Sequence, residues 1–146
     1  MKHLIIFLSI VCLSAISSAS GDLTVKNSSY STIGYIYEDG TVKDANYRTR
    51  GYIYEDGTVK DAGYRTIGYI YDDGTIKDES YVTIGYVYDD GTMKSRSYST
   101  IGYIYDDGDI KNANYSTVAY VDGYDFTDML RVCAYLFFFS HLISWQ

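Results

Sequence analysis

Pairs of acidic residues recur every 17 residues and are the first groups whose chemistry must be considered. The pairs are Glu38-Asp39, Glu55-Asp56, Asp72-Asp73, Asp89-Asp90 and Asp106-Asp107. Calcium loops of the familiar kind place carboxylates at alternating positions and add a distal bidentate glutamate, a spacing that these pairs lack. Each pair instead precedes glycine, and Asp-Gly is the strongest short signal for a β-hairpin turn. We therefore interpret the pairs as turn residues with an acidic neighbour that keeps each tip soluble, and we predict no metal site and no cofactor.

A histidine and a cysteine near the C-terminus offer the other route to catalysis. His141 and Cys133 are eight residues apart, a spacing that does not place them on adjacent turns of a helix. Every Asp, Lys and Tyr of the repeat recurs in equivalent surroundings, whereas an active site needs one environment that differs from the others. We therefore predict no catalytic residues and no enzyme activity, and interpret His141 as a helix-end or interface residue.

The 19 tyrosines are the strongest candidates for a binding function. Tyrosine presents a stacking face and a hydroxyl, which suit sugars, aromatic ligands or partner proteins. The candidate ligand-binding residues are Tyr35, Tyr52, Tyr69, Tyr86, Tyr103, Tyr37, Tyr54, Tyr71, Tyr88 and Tyr105. Two further registers run beside them, formed by Tyr30, Tyr47, Tyr64, Tyr81, Tyr98 and Tyr115, and by Lys26, Lys43, Lys60, Lys77, Lys94 and Lys111. The competing interpretation is that aromatic cross-strand pairs only stabilise the sheet.

These residues belong to a tandem repeat of 17 residues. Five full copies fill residues 34–118, with a half copy before them at residues 24–33 and a decayed half copy after them at residues 119–122. Each copy alternates aromatic and β-branched residues around Asp-Gly, which predicts an all-β meander with one hairpin per copy. The second bend of each copy is expected at the position of Asn46, because Asn and Gly tolerate positive φ.

A two-residue turn at Asp39-Gly40 would place Tyr37 opposite Val42 and Ile36 opposite Lys43. The predicted core face is then Ile33, Tyr35, Tyr37 and Val42, with Glu38 and Lys43 as a diagonal ion pair on the other face. Glycine at position 34 recurs in every full copy, which indicates that the strands are crowded there and leave no room for a side chain. Arg50 interrupts the Ile33 register, which predicts that this register is partly accessible to solvent, because an unpaired buried arginine is costly.

The array begins with the second half of a unit and ends with the first half of another. Pairing of these two halves would close the array into a ring and remove its exposed sheet edges, which would otherwise promote aggregation. We therefore favour a closed ring over an open solenoid. The sequence leaves open whether five or six units form the ring.

The repeat also resembles a known family, the secreted five-fold β-flower proteins of Bacteroidetes. The resemblance rests on tandem units of the form GYIYxDGxVxDxxYRTI, on a signal peptide and on a phenylalanine-rich C-terminus, here Tyr135-Leu136-Phe137-Phe138-Phe139. It covers nearly the whole chain, apart from the substitution at Arg50, the irregular last unit and the final residues SHLISWQ. It implies a flower-like ring of hairpins and carries over no catalytic residues.

Residues 1–19 have the pattern of a secretory signal peptide. Lys2 precedes an apolar run, and Ser17-Ser18-Ala19 forms a small-residue cleavage site. Lipidation at Cys12 is the alternative, but the residues before it match that signal poorly. Cleavage after about Ala19 changes the formal charge from -7 to -8, and an acidic protein is a poor partner for nucleic acid. We therefore predict secretion to the periplasm or cell surface, with Cys133 as the remaining thiol.

The chain divides into residues 1–19, a hairpin-repeat domain at 20–126 and an apolar C-terminal segment at 127–146. Asp125 or Thr127 could cap a helix that starts near Asp128. The segment could plug the centre of the ring, contact a membrane through residues 129–145, or form oligomers. The sequence thus predicts a secreted, non-enzymatic structural or binding protein. A glycan- or ligand-binding surface module that uses its tyrosines, with a glycan or another surface protein as partner, and a membrane-associated interaction protein are the alternatives.

Overall fold

Twelve antiparallel strands form a closed barrel in the computed structural model, which describes residues 21–145. The strands are β1 Leu23–Asn27, β2 Thr32–Ile36, β3 Thr41–Asp44, β4 Thr49–Ile53, β5 Thr58–Asp61, β6 Thr66–Ile70, β7 Thr75–Asp78, β8 Thr83–Val87, β9 Thr92–Ser95, β10 Thr100–Ile104, β11 Asp109–Asn112 and β12 Thr117–Asp122. Each strand pairs with its neighbours in sequence, which confirms the all-β meander. The signal peptide and Cys12 lie outside the described residues.

The two ends of the repeat array close the ring. β1 pairs with β12 through Val25 opposite Val121 and Lys26 opposite Tyr120. Together these strands make a sixth two-stranded unit beside the five continuous copies. Closure is therefore confirmed, and the ring contains six units. The pairing satisfies the backbone groups that would be exposed at the edges of an open ladder.

The hairpin tips are one residue longer than predicted. The Tyr37 amide donates to the Thr41 carbonyl and the Gly40 amide donates to the Tyr37 carbonyl, with Gly40 at φ +87. This is a three-residue loop in which glycine supplies a bulge with positive φ. Ile36 consequently faces Val42, and the predicted pairing of Tyr37 with Val42 is wrong.

A shift of one residue exchanges the two faces of a strand, so the predicted inward direction of Tyr35 and Tyr37 is also wrong, whereas Val42 lies in the core as predicted. Ile36 and Val42 are fully buried inside the barrel, whereas Tyr35, Tyr37 and Lys43 lie on its outer surface. The expected Glu38–Lys43 pair is not found among the ion pairs of residues 21–145. Arg50 is exposed, Ile33 is partly buried and Ile84 is buried, which confirms that this register is only partly accessible to solvent.

The second bend of each unit carries a tyrosine, and not the preceding residue, at positive φ. Tyr30, Tyr47, Tyr64, Tyr81, Tyr98 and Tyr115 have φ between 61 and 65. In the first full unit the Asp44 side chain accepts hydrogen bonds from the amides of Asn46 and Arg48, at 2.9 and 3.1 Å. The carboxylate thus holds the turn, and the prediction of positive φ at Asn46 is wrong.

A short helix occupies the barrel interior. A 3-10 turn, Phe126–Asp128, begins after the capping residue Asp125 and leads into α1, Met129–Phe138. The predicted helix start near Asp128 is confirmed, and Asp125 caps the 3-10 turn that precedes α1, but the helix ends at Phe138, before the apolar segment does. The helix residues buried in the core are Met129, Val132, Cys133, Ala134, Tyr135, Leu136 and Phe137. This placement agrees with the plug hypothesis. In the described part of the chain, no helix combines the length and apolar character needed to span a membrane.

Aromatic side chains of the C-terminal segment fill the space beside the glycines of the ring. Tyr135, Phe139, Phe138 and Phe137 lie against Gly34, Gly51, Gly68 and Gly85, respectively. A Cβ added at Gly85 would lie 2.6 Å from Cε1 of Phe137 and 2.7 Å from the Lys94 carbonyl oxygen. The predicted crowding therefore exists, and it arises from the plug together with the neighbouring strand.

A buried ion pair fixes the start of the helix to the first hairpin. Asp128 is fully buried, and its Oδ1 atom lies 3.0 Å from Nη1 of Arg131. Nη2 of Arg131 donates to the Tyr37 carbonyl at 2.8 Å, while Asp128 Oδ2 accepts from the Asp125 amide at 3.0 Å. These bonds satisfy the charges that burial would otherwise penalise. They also set the depth of α1 in the barrel.

Candidate binding surface

Six stacked tyrosine pairs surround the outside of the barrel, and we call them the tyrosine belt. Tyr35 and Tyr47 stack with their centroids 4.8 Å apart and their planes at 13°, and the Tyr35 hydroxyl donates to the Tyr47 hydroxyl at 3.1 Å. The six pairs are Tyr120–Tyr30, Tyr35–Tyr47, Tyr52–Tyr64, Tyr69–Tyr81, Tyr86–Tyr98 and Tyr103–Tyr115. Each pair joins a strand residue to the tyrosine at positive φ in the second bend of the same unit, except that Tyr120 and Tyr30 join the two ends of the repeat array.

A third tyrosine and a lysine flank five of the six pairs. The Tyr37 ring lies 6.2 Å from the Tyr35 ring, and Lys43 Nζ lies 5.3 Å from the Tyr37 centroid. The same lysine–tyrosine contact recurs at Lys60–Tyr54, Lys77–Tyr71, Lys94–Tyr88 and Lys111–Tyr105. In the sixth unit Asp122 occupies the position of the third tyrosine, and it forms an ion pair with Lys26 at 2.6 Å.

All ten tyrosines proposed from the sequence lie on this outer surface. Tyr35, Tyr52, Tyr69, Tyr86 and Tyr103 are partly buried beneath their stacking partners, and Tyr37, Tyr54, Tyr71, Tyr88 and Tyr105 lie beside them. The proposed set left out the tyrosines of the turns, although these have the most accessible rings. Tyr30, Tyr47, Tyr64, Tyr81, Tyr98 and Tyr115 are 59–65% exposed. The recurrence of a tyrosine at the second bend of every unit was the feature of the sequence that could have identified these residues.

Hydrogen bonding within the belt changes the acidity of the inner tyrosines. The pKa of Tyr35 is raised above 10.0, first because its hydroxyl bonds to Tyr47 and then because of desolvation. The pKa values of Tyr52, Tyr69, Tyr86, Tyr103 and Tyr120 are raised for the same reasons. In the core, burial raises the pKa of Tyr135 to about 12. These tyrosines therefore remain neutral at pH values where an unfolded chain would begin to ionise.

The protein is expected to lose stability as the pH rises above about 10. A tyrosine whose folded pKa is raised contributes stability that is complete below its unfolded pKa and disappears as the pH passes through its folded pKa. For Tyr135, the rise in pKa from 10.0 to about 12 corresponds to roughly 3 kcal/mol in the free energy of unfolding. Thermal unfolding measured from pH 8 to 12, with tyrosinate absorbance recorded in parallel, tests this expectation.

Tyr135→Phe is the matched control for the alkaline measurement, because the chain already has phenylalanine at the neighbouring plug positions. This variant is expected to lose less stability between pH 10 and 12 than the parent protein does. Equal losses in the two proteins would show that Tyr135 is not the buried group that titrates.

The acidic pairs at the hairpin tips act on their own backbone. Asp39 Oδ1 accepts from the Thr41 amide at 2.9 Å, and this hydrogen bond lowers the pKa of Asp39. Equivalent bonds form at Asp56, Asp73, Asp90 and Asp107. The interpretation as turn residues is thus confirmed. Within residues 21–145 no cluster of three or more histidine, cysteine or acidic side chains is placed to hold a metal.

His141 and Cys133 have different environments. Cys133 is fully buried in the helix, and burial raises the pKa of its thiol well above the usual range. His141 is exposed beyond the end of the helix. A buried protonated thiol is a poor nucleophile, because the thiolate is the reactive form. The expected absence of enzyme activity remains a prediction.

The comparisons agree with the architecture. The model of a family described as 5-fold beta-flower protein matches residues 22–139. A search of the curated proteins and a search of the solved structures each found no match. The matched residues include all twelve strands and the helix that fills the barrel. The chain therefore belongs to the 5-fold beta-flower protein family.

Proposed function

We propose that the protein is a secreted, non-enzymatic glycan-binding protein that uses the tyrosine belt. The observation that carries the proposal is the repeated exposure of a stacked tyrosine at each of six turns. The signal peptide predicted at residues 1–19 supports an extracellular setting, where polysaccharides are available as ligands. The equivalence of the repeated sites favours binding over catalysis, which needs one specialised environment.

Stability alone gives little reason for tyrosine at the turns. Holding a residue other than glycine in the left-handed conformation costs roughly 1–2 kcal/mol. A stacked aromatic pair contributes about 0.5–1.5 kcal/mol beyond the area that it buries. Because these terms are comparable, asparagine, which tolerates positive φ, would serve the turn about as well. The exposed ring therefore needs a second reason, and binding supplies one.

The belt has the chemistry that sugar recognition requires. An aromatic face packs against the C–H groups of a sugar ring, and the tyrosine hydroxyls and lysine ammonium groups can bond to sugar oxygens. Six copies on a closed ring allow one polymer, or several chains on a surface, to engage more than one site. Linked sites raise the overall affinity without any new contact, so individually weak sites are sufficient.

The proposal is tested by replacing the exposed tyrosines with asparagine in a graded series. Variants with one, three and all six of Tyr30, Tyr47, Tyr64, Tyr81, Tyr98 and Tyr115 changed are applied to a panel of immobilised polysaccharides. Retention is expected to fall roughly tenfold or more from the parent to the six-site variant, and more steeply than in proportion to the number of sites. Circular dichroism and thermal unfolding establish that each variant retains the barrel.

Two results would reject the glycan proposal. One is the absence of retention of the parent protein on every polysaccharide of a broad panel. The other is unchanged retention of a correctly folded six-site variant. If the belt bound a surface protein and the protein were not retained on any glycan, the tyrosine belt would remain the binding surface but its ligand would be a protein. Most of α1 is buried inside the barrel, so membrane contact and oligomerisation through the C-terminal segment are not part of the proposal.

A further inference from the structure

One turn of the ring differs chemically from the other five. The first residue of the second bend is Asn27, Asp44, Asp61, Asp78 or Asn112 in five units. In the remaining unit it is Ser95. The side-chain oxygen of each Asp or Asn accepts hydrogen bonds from turn amides, as Asp44 does. The Ser95 hydroxyl instead bonds to the Ser97 hydroxyl at 3.0 Å, which leaves a turn with a smaller, uncharged side chain at this point.

A groove of about 570 Å³ lies beside this turn. Its lining residues are Ile84, Ser95, Arg96, Ser97, Ser99, Ile101, Ser144 and Trp145. Trp145 is fixed there because its Nε1 donates to the Phe137 carbonyl at 3.0 Å and its ring stacks on Phe137 at 6.0 Å. The groove thus combines a positioned aromatic ring, two aliphatic side chains and four serines. None of the belt tyrosines is among its lining residues.

The groove is also cationic, in a protein whose formal charge is -7. Arg96 occupies a turn position that is Ser28, Ala45, Ala62, Glu79 or Ala113 in the other units. Among residues 21–145, Arg96 forms no ion pair. Relative to the three turns that begin with Asp, the presence of Ser95 and Arg96 removes a carboxylate and adds a guanidinium in the same turn. This combination favours an anionic ligand.

We propose that this groove is a second binding site, separate from the tyrosine belt, and that its ligand is a sugar ring bearing a carboxylate. Arg96 binds the carboxylate, because its planar guanidinium matches the two oxygens. Trp145 packs against the face of the ring, and the serine hydroxyls bond to the ring hydroxyls. The volume of about 570 Å³ is within the range of small-molecule sites. The site does not depend on the belt binding a glycan.

Trp145 is the only tryptophan in the chain, so its fluorescence reports directly on this groove. The purified protein is titrated with glucuronate, glucose and acetate. Glucuronate is expected to produce a saturable change at a concentration at least roughly tenfold lower than the other two, because only glucuronate offers both the charge and the ring. A belt variant with asparagine at the other five positions, which keeps Tyr98 because it lies in the same turn as Ser95 and Arg96, is expected to respond as the parent does. Failure of one site is therefore distinguishable from failure of the other.

Three variants test the assignment. Arg96→Gln removes the cation and is expected to weaken glucuronate binding roughly tenfold. Ser95→Asp restores the residue found in three other turns, so this variant is expected to fold at least as stably as the parent. The new carboxylate would repel the carboxylate of the ligand, and glucuronate binding is therefore expected to disappear. Ser95→Asn restores the turn without the charge, as in two other turns, and is expected to weaken binding less than Ser95→Asp does.

Each contrary result overturns a defined part of the inference. No saturable response to glucuronate, or unchanged binding by Arg96→Gln and Ser95→Asp, rejects the site. Equal affinities for glucuronate and glucose reject the role of the carboxylate, as does an equal loss in Ser95→Asn and Ser95→Asp. Equal affinities for glucuronate and acetate reject the sugar and leave a simple anion site.

Discussion

Truncation of the protein after Phe126 is expected to abolish cooperative folding of the barrel. The deletion removes α1, which includes Val132, Cys133, Ala134 and Leu136, all fully buried. It also exposes the inward-facing side chains of the strands to water. Full burial of one large aliphatic or aromatic side chain contributes about 1.5–3 kcal/mol, and several are lost together. The total is comparable to the whole stability of a typical domain, about 5–15 kcal/mol.

The measurement is the solution mass and thermal unfolding of the truncated and parent proteins without detergent. A truncation after Ser140 is the matched control, because it keeps α1 and removes only residues 141–146, which include Ile143 and Trp145. The control is expected to unfold cooperatively at a lower temperature than the parent, whereas the protein that ends at Phe126 is expected to aggregate. A soluble, cooperatively folded monomer ending at Phe126 would contradict the plug and would point to the C-terminal segment as an anchor or partner site.

The sequence was sufficient to predict the ring because the repeat and its two half copies leave few alternatives. A half unit at each end has unpaired strand edges, and joining Val25 to Val121 satisfies both edges. The same reasoning applies to the helix, whose cap at Asp125 and apolar length were visible in the chain. These features depend on patterns that extend over many residues, and such patterns tolerate local errors.

The inward face of β2 depended on a single residue in the turn and was predicted wrongly, although Val42 of β3 was assigned correctly to the core. Asp-Gly is compatible with a two-residue turn or with a three-residue loop ending in a glycine bulge, and the two place opposite faces inward. The assumed two-residue turn directed Tyr35 and Tyr37 into the core. The inward residue of β2 is instead the aliphatic Ile36, and the aromatic plug completes the core. The source of that plug, a distant segment, could not be read from one repeat.

The candidate sites show the same division. The belt tyrosines were visible as registers, but the stacking of Tyr35 on Tyr47 requires positive φ at a tyrosine, which propensity disfavours. The groove at Ser95 had a signal in the sequence, since Ser95 and Arg96 are the chemical exceptions in an otherwise regular turn. What the sequence lacked was the position of Trp145, which reaches the groove only because the chain folds back after α1.

The crowding between helix and ring leads to a second large expected effect, from one added methyl group. Glycine within a strand ordinarily destabilises the fold by roughly 0.5–1 kcal/mol relative to alanine. Gly34→Ala is expected to have the opposite sign and cost about 1–3 kcal/mol, the usual range for overpacking. The reason is that the new Cβ would lie 2.5 Å from the Tyr135 hydroxyl oxygen. Chemical denaturation measures the change in the free energy of unfolding.

Two comparisons identify the obstacle as the plug side chain. In a Tyr135→Phe background the hydroxyl is gone, and the remaining contacts of the new Cβ are 3.1 Å to the Lys43 carbonyl oxygen and 3.2 Å to the ring. The cost of Gly34→Ala is therefore expected to fall by half or more in that background, because contacts above 3 Å need only small adjustments. Gly85→Ala is expected to stay costly there, since Phe137 and the Lys94 backbone oxygen limit it. An equal cost of Gly34→Ala in both backgrounds would mean that the Tyr135 hydroxyl does not limit the space at Gly34, and its assigned position against β2 would then be incorrect.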